Sequence, residues 1–350
     1  MPVLQLARRL ALGAALATVA MATTAMVTTA AAQQRTLTVY SSLDEDQAKA
    51  LIRGFEAKHP QVKVNAILGS TAPIIARVIA EAAAPQGDVI MGNAVSALMA
   101  ADARGLLLPY KPTHFDKLSP LMRDSRAEPV WTGIDAWAAS VCFNTAEAAK
   151  KNIPAPTSWE DLTKPIYRGQ ITMPSPLSSG TALLAVNGWL TAFGETGGWA
   201  FMDKLHENIA RYGHSGSAPC RQAGTGEALI GISYATPGVK LVNDGAPIAI
   251  ILPSEGLGWE IEALAIIKGA RNLADARAMA DWISSREAAE ISAKFLPMTA
   301  YDDIQSLPKN YPVGEREKLL KMDFTKLAAS REAVMAEWQR RYGTKVPPRN

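Results

Sequence analysis

The chain has 350 residues, of which 48% are hydrophobic, and 36 Lys and Arg nearly balance 33 Asp and Glu to give a formal net charge of +3. This near-neutral balance argues against a nucleic-acid partner, because such a partner requires a concentrated basic surface. A chain of this length exceeds what one hydrophobic core usually sustains, so we expect two lobes.

The N-terminal segment has the order of an export signal. Arg8 and Arg9 precede an apolar stretch over residues 10–29, and the small residues 30–32 follow. This order is typical of a secretory signal peptide, so we predict that residues 1–32 are cleaved on export to the periplasm; an uncleaved membrane anchor is the alternative. No later segment approaches the roughly 20 apolar residues that cross a bilayer.

The chain has two cysteines, Cys142 and Cys220. In an oxidising compartment we expect them to form one disulfide. Two buried thiols are the alternative, since spacing in the sequence gives no distance between them.

Strand and helix patterns alternate from residue 35 to residue 92. Leu37 and Val39 alternate with polar residues as in a strand, and the next segment has the apolar spacing of an amphipathic helix, with Ala48, Leu51, Ile52 and Phe55 on one face. A strand in "HPQVKVNAI", a helix in "GSTAPIIARVIAEAAAP" and a buried strand in "GDVIMG" follow. This β-α-β-α-β order predicts a parallel sheet covered by helices.

Two long apolar segments, at 131–144 and 247–267, flank a second set of alternating strands and helices. We interpret them as strands that cross between lobes. Lobe one then comprises residues 33–137 and about 256–300, and lobe two comprises 138–255 and about 301–350. The predicted fold is α/β, with two α/β lobes joined by crossing strands and a ligand cleft between them.

Hydroxyl side chains cluster where four predicted strands lead into helices. The groups are Ser41-Ser42, Ser70-Thr71, Ser178-Ser179-Gly180-Thr181 and Ser215-Gly216-Ser217. A helix N-terminus presents free amides and a partial positive charge, and each hydroxyl adds a donor, so the set predicts a site for a tetrahedral oxyanion such as phosphate or phosphonate. Ordinary helix capping is the alternative at each junction.

Aromatic and acidic residues on or beside the crossing strands predict an ammonium site. The candidates are Trp137, Tyr234, Trp259 and Glu260, with Asp44 and Asp135 as further carboxylates of the same kind. The alternative is that the tryptophans pack in the core and that Glu260 is a surface charge.

Motifs for catalysis are missing from the sequence. It has no GK[ST] phosphate loop, "GHSGS" lacks the final glycine of a nucleophile elbow, and the four His form neither HExxH nor an evident zinc spacing. We therefore expect a binding protein rather than an enzyme, with no cofactor and no metal site. A secreted hydrolase of phosphate or phosphonate esters is the alternative from another class.

Five segments together resemble the 2-aminoethylphosphonate-binding proteins, which are periplasmic solute-binding proteins of ABC importers. They are "STAPIIARVIAEAAAPQGDVI", "DAWAASVCFNT", "PSPLSSGTALLAVNGWL", "HENIARYGHSGSAPCRQAG" and "EGLGWEIEALAIIKGA". The resemblance implies the type II two-lobed fold, a monomer that closes on a small aminophosphonate, and delivery to a permease in the inner membrane. Ferric-iron and hexose-phosphate binders share this class and remain alternatives.

The resemblance also implies roles for single residues. The positions expected to hold the phosphonate are Ser42, Ser70, Thr71, Ser179, Gly180, Thr181 and Ser215, and those expected around the amine are Glu260, Tyr234 and Trp259. Iron binders of the class have adjacent tyrosines where this chain reads "GISYATPG", with Tyr234 alone. That departure argues against iron, because a hard ferric ion would lose one of two phenolate ligands.

Overall fold

A computed structural model describes residues 34–347. The predicted signal peptide, residues 1–32, lies outside the described residues. The strands are β1 Arg35–Ser41, β2 Val62–Leu68, β3 Val89–Ala94, β4 Leu107–Leu108, β5 Thr132–Asn144, β6 Ile171–Pro174, β7 Ile209–Gly213, β8 Ile230–Tyr234, β9 Ile248–Ile251, β10 Trp259–Ile267 and β11 Met298–Thr299.

Helices cover both faces of the sheets. They are α1 Glu45–Lys58, α2 Thr71–Ala80, α3 Val95–Asp102, α4 Thr145–Lys151, α5 Gly180–Asn208, α6 Ala218–Thr225, α7 Ala235–Asn243, α8 Leu273–Ile283, α9 Arg286–Ser292 and α10 Phe324–Tyr342. A kink at Gly194, where φ is 73°, divides α5 into two halves. No helix among residues 34–347 combines the length and apolarity that crossing a membrane requires.

The sheet of lobe one has the strand order β2-β1-β3-β10-β5. The first three strands are parallel, as the β-α-β-α-β pattern predicted. β10 runs antiparallel to both β3 and β5, and the short strands β4 and β11 pair with β10 and β5. The helices that follow β1 and β2 therefore begin at the same edge of the sheet.

The sheet of lobe two has the order β5-β8-β6-β7, with β9 also paired to β5. β6, β7 and β8 are parallel, whereas β8 and β9 run antiparallel to β5. The disulfide between Cys142 on β5 and Cys220 on α6, with a Cα–Cα distance of 5.2 Å, ties α6 to this sheet.

β5 is the strand that links the two sheets. Its first half pairs with β10 up to Ala138, and from Ala139 onward it pairs with β8. The segment 247–267 is not one crossing strand: β9 stays in lobe two, β10 lies in lobe one, and residues 252–258 connect them. The α/β two-lobed fold is confirmed.

The C-terminal helix α10 packs against both lobes, which differs from the expectation that residues 301–350 belong to lobe two. Arg331 on α10 is buried beside Glu260 of lobe one. Trp338 contacts Tyr212 of lobe two edge to face, with ring centroids 4.8 Å apart. An amphipathic pattern predicts that a helix has a buried face but does not say which surface that face covers.

Candidate ligand-binding cleft

A cavity of about 340 Å³ lies between the lobes, at the edge where α1, α2, α5 and α6 begin. Ligand pockets of proteins commonly fall in the range of about 300–1,000 Å³. About half of the lining residues come from the four hydroxyl-bearing junctions, and the others include aromatic, acidic and apolar side chains and Arg221.

The lobes are in contact across the cavity. The Tyr234 hydroxyl of lobe two donates to Asp44 Oδ1 of lobe one at 2.6 Å. The Ala72 amide donates to the Ser178 carbonyl at 3.4 Å. A Cβ atom added at Gly180 would come within 2.6 Å of Thr71 Oγ1. These contacts describe a closed conformation, in which the N-termini of α2 and α5 face each other at close range.

The N-termini of α2 and α5 supply hydroxyl donors to the cavity. Ser70 and Thr71 line it from α2, and Ser179, Gly180 and Thr181 line it from α5. Ser179 Oγ accepts a bond from the Ala182 amide, so it caps the helix while its own proton stays free to donate outward. Among the described residues, neither Thr181 Oγ1 nor the Thr181 amide has a hydrogen-bond partner. This arrangement fits a tetrahedral anion.

The loop before α6 adds further hydroxyls and a positive charge. Ser215 and Ser217 line the cavity, with their hydroxyl oxygens 3.3 Å apart. Arg221, one turn into α6, also lines the cavity and donates to Ser217 Oγ at 2.6 Å. The guanidinium group places a positive charge beside these hydroxyls, which favours binding of an anion.

Ser42 lines the cavity, but its hydroxyl has a partner within lobe one. Its Oγ donates to the Gly92 carbonyl at 2.7 Å, and Asn93 Oδ1 lies 2.8 Å away. A hydroxyl has one proton, so toward a ligand the Ser42 oxygen can only accept. Ser42 thus reaches the cleft but cannot donate to an anion while these bonds persist.

A second part of the cavity wall, the acidic end, carries carboxyl groups. Asp44, at the start of α1, and Glu262, on β10, line it together with Trp137 and Tyr234. Asp135, directly opposite Glu262 on the neighbouring strand β5, is fully buried behind that carboxylate. Three carboxyl groups therefore lie on one side of a small cavity, where they would attract a positively charged group of a ligand.

Burial controls the titration of these carboxyl groups. It raises the pKa of Asp44, and the hydrogen bond from Tyr234 opposes that shift. It raises the pKa of Asp135 to about 6. Burial and the adjacent charge of Asp135 together raise the pKa of Glu262 well above its ordinary value. A bound cation would favour the ionised forms of all three groups.

Trp259 and Glu260 lie outside the cleft, contrary to the expectation that they surround an amine. The Trp259 indole donates to the Leu320 carbonyl at 2.7 Å and packs edge to face on Phe324. Glu260 is buried with Oε2 3.5 Å from the Ser96 amide and with Arg331 nearby. Both are covered by the C-terminal segment, whose position the sequence did not reveal.

The structure adds two residues to the cleft that sequence reasoning missed, Arg221 and Glu262. Arg221 is four residues after Ser217, which is the spacing that puts two side chains on one helix face. Glu262 is two residues after Glu260 and so points to the same side of β10. Among residues 34–347, no group of three or more His, Cys, Asp or Glu is arranged to hold a metal ion.

Residues 85–326 match the family described as bacterial extracellular solute-binding protein. The chain belongs to this family. A relative described as a probable ABC transporter periplasmic-binding protein, y4fP of Sinorhizobium fredii, is 27% identical over 270 residues, covering 74% of this chain and 73% of the relative. An uncharacterized protein of Haemophilus influenzae is 30% identical over 314 residues, covering 86% of this chain and 89% of the relative.

The fold also matches a solved structure with a bound sugar phosphate. The periplasmic binding protein AfuA from Actinobacillus pleuropneumoniae, with exogenous fructose-6-phosphate bound, superposes with a TM-score of 0.82 at 28% identity, covering 89% of this chain and 99% of AfuA. The matched family, y4fP and AfuA are all described as binding proteins, not as enzymes. The chain is accordingly an extracellular solute-binding protein of the ABC transporter class, with a small-molecule ligand and a permease as partner.

Proposed function

We propose that this protein captures 2-aminoethylphosphonate in the periplasm and delivers it to the permease of an ABC importer. The observation that carries this proposal is the combination, in the wall of one cavity, of hydroxyls, helix N-termini and Arg221 with the carboxyl groups of Asp44 and Glu262. A small zwitterion with a tetrahedral oxyanion and a primary ammonium group matches both kinds of lining group at once.

The anion end supports the phosphonate part of the ligand. Hydroxyls from α2, α5 and the loop before α6 come from both lobes, so one anion bound among them would bridge the lobes. Hydrogen bonds to a charged group contribute on the order of 1.5–3 kcal/mol each. Four or five such bonds, less the cost of association, support a dissociation constant in the micromolar range or below.

The acidic end supports the amine. A ligand without a positive charge would cover Asp44 and Glu262 without offering a counter-charge, and the desolvation of these carboxyl groups would then be uncompensated. An ammonium group supplies the missing charge and donates to the carboxylate oxygens. Trp137, 5% exposed, adds an aromatic face to the same end of the cavity.

Isothermal titration of the purified protein with four ligands tests the proposal. We expect 2-aminoethylphosphonate to bind in the micromolar range or tighter, and ethylphosphonate, which lacks the amine, to bind at least about tenfold more weakly. Fructose-6-phosphate and ferric citrate complete the set. Absence of heat with 2-aminoethylphosphonate beside clear binding of fructose-6-phosphate or ferric citrate would overturn the proposal.

A sugar phosphate is the second candidate ligand, because AfuA was solved with fructose-6-phosphate and matches nearly the whole chain. Carboxylates also accept hydrogen bonds from sugar hydroxyls, so Asp44 and Glu262 are compatible with a hexose in general chemistry. The two candidates differ in charge at the acidic end. Asp44→Asn should spare binding of a neutral sugar moiety far more than binding of an ammonium group.

A further inference from the structure

The pair formed by Glu262 and Asp135 has a geometry that favours a shared proton. The two residues lie directly opposite each other on antiparallel strands β10 and β5. Glu262 is 9% exposed and Asp135 is fully buried. Each has one buried carboxyl oxygen, Glu262 Oε2 and Asp135 Oδ1, without a hydrogen-bond partner among the described residues. Opposed side chains in this register have Cβ atoms about 5 Å apart, so the two carboxyl groups meet.

Two ionised carboxylates can only accept hydrogen bonds, and at such separation in a buried site they repel each other. One proton placed between them removes the repulsion and satisfies both unpartnered oxygens. The raised pKa of Glu262, caused by burial and by the neighbouring Asp135, agrees with this interpretation. One shared proton and one negative charge are therefore the state that this geometry favours near neutral pH in the absence of ligand.

No cationic side chain among the described residues bonds to this pair. The remaining oxygen of Asp135 accepts from Gln47 Nε2 of α1. The other groups that face the pair are Ser292 of α9, Asp44 at the start of α1, Tyr234 of β8, and the buried Tyr311, whose hydroxyl donates to Glu315. Arg221 of α6 acts on Asp44 instead. The groups around the shared proton are thus neutral donors and acids, and none of those described supplies a positive charge to the pair.

We propose that ligand capture releases this proton. The inference rests on the proposed function: an ammonium group seated against Glu262 and Asp44 provides the positive charge that the shared proton supplied. The proton passes from the carboxyl pair to solvent, both carboxylates become ionised, and the N–H donors of the ligand replace the O–H donor. Affinity then increases with pH over the range in which the ligand-free pair still holds its proton.

Calorimetric titration in two buffers measures the released proton. The wild-type protein is titrated with 2-aminoethylphosphonate at pH 7.5 in MOPS and in imidazole, which differ in ionisation enthalpy. The same titrations are repeated with Glu262→Gln and with Asp135→Asn, each of which replaces the shared proton with an amide donor. We expect the wild-type protein to release about one proton more per ligand than either variant.

The variants serve as matched controls, because a proton lost by the phosphonate itself is lost in all three proteins and cancels in the difference. Asp135→Asn leaves both cavity-lining carboxylates in place, so it preserves a measurable affinity if Glu262→Gln does not bind. Equal proton release by wild type and Asp135→Asn would overturn the linkage and leave the proposed function standing. Absence of heat with 2-aminoethylphosphonate in both buffers would overturn the proposed function instead.

Discussion

Thr181 offers the most direct test of whether a single hydroxyl at the anion end binds a ligand. Its side chain lines the cavity, and its Oγ1 has no partner among the described residues. Thr181→Val keeps the size of the side chain and removes the donor, so we expect 2-aminoethylphosphonate to bind about 10- to 100-fold more weakly, as measured by calorimetry.

Thr191→Val is the matched control for this substitution. Thr191 lies on the same helix, and its hydroxyl donates to the Asn187 carbonyl one turn earlier, away from the cavity. We expect its affinity for the ligand to equal that of the wild-type protein. An unchanged affinity in Thr181→Val would assign that hydroxyl to the local structure of α5.

We expect Asp44 to determine how the acidic end responds to the charge of a ligand. Its carboxylate lines the cavity and accepts from the Tyr234 hydroxyl. Asp44→Asn keeps the acceptor for Tyr234 but removes the negative charge, so affinity for 2-aminoethylphosphonate should fall at least about tenfold. Calorimetry with ethylphosphonate provides the comparison, because a ligand without an amine should lose little. A parallel loss for both ligands would contradict an ammonium site here.

At the scale of elements, we expect the N-terminus of α5 to couple ligand binding to closure of the lobes. Gly180 permits close approach to α2, since a Cβ atom there would lie 2.6 Å from Thr71 Oγ1 and 3.2 Å from Thr71 Cβ. Gly180→Ala therefore obstructs the close approach of α5 to α2 that the closed conformation contains. We expect an affinity loss of about tenfold or more and a smaller decrease in the radius of gyration by X-ray scattering on adding ligand.

Gly197→Ala on the same helix separates this effect from a general response of α5 to alanine. The nearest atom to a Cβ at Gly197 is Phe193 Cβ at 3.4 Å, which is an ordinary contact. Its affinity and its ligand-induced compaction should match the wild-type values. Wild-type closure in Gly180→Ala would show that the lobes do not meet at this glycine when the ligand binds.

The elements that form the cleft could be predicted where the evidence for them lies in a short stretch of sequence. The hydroxyl groups at the starts of α2 and α5 are contiguous in sequence, and the order of strands and helices places those starts at one edge. The sequence predicts that Glu260 and Glu262 lie on the same face of β10. It does not predict which of the two carboxylates lines the cavity, because that depends on the packing of α3 and α10. The position of Arg221 in the cavity could not be predicted for a similar reason, because it depends on how α6 is oriented toward lobe one.

At the scale of the whole molecule, several buried carboxyl groups make stability depend on pH. Burial raises the pKa of Asp135 to about 6 and the pKa values of Glu260 and Glu315 to about 7. In the unfolded chain these groups have pKa values near 4, so between about pH 4 and pH 8 the folded protein binds more protons than the unfolded chain. The stability they contribute is fully present below about pH 4 and is lost as pH rises through 6 to 7.

The ligand-free protein should therefore unfold more easily at pH 8 than at pH 5. Burial also lowers the pKa of His206, which favours stability at higher pH, but this is one group against several carboxyls. We expect the free energy of unfolding in urea to be at least about 2 kcal/mol smaller at pH 8, because a pKa that is higher by one in the folded state than in the unfolded chain corresponds to about 1.4 kcal/mol.

Substitution of single carboxyls identifies which groups produce this slope. Glu315→Gln keeps an acceptor for the Tyr311 hydroxyl and cannot ionise, so it should flatten the dependence of unfolding free energy on pH. Glu160→Gln, at an exposed position, should leave the slope as in the wild-type protein. A stability that increases from pH 5 to pH 8 would mean that the buried carboxyls stay ionised in the folded state, and the acidic end would then be fully charged before any ligand arrives.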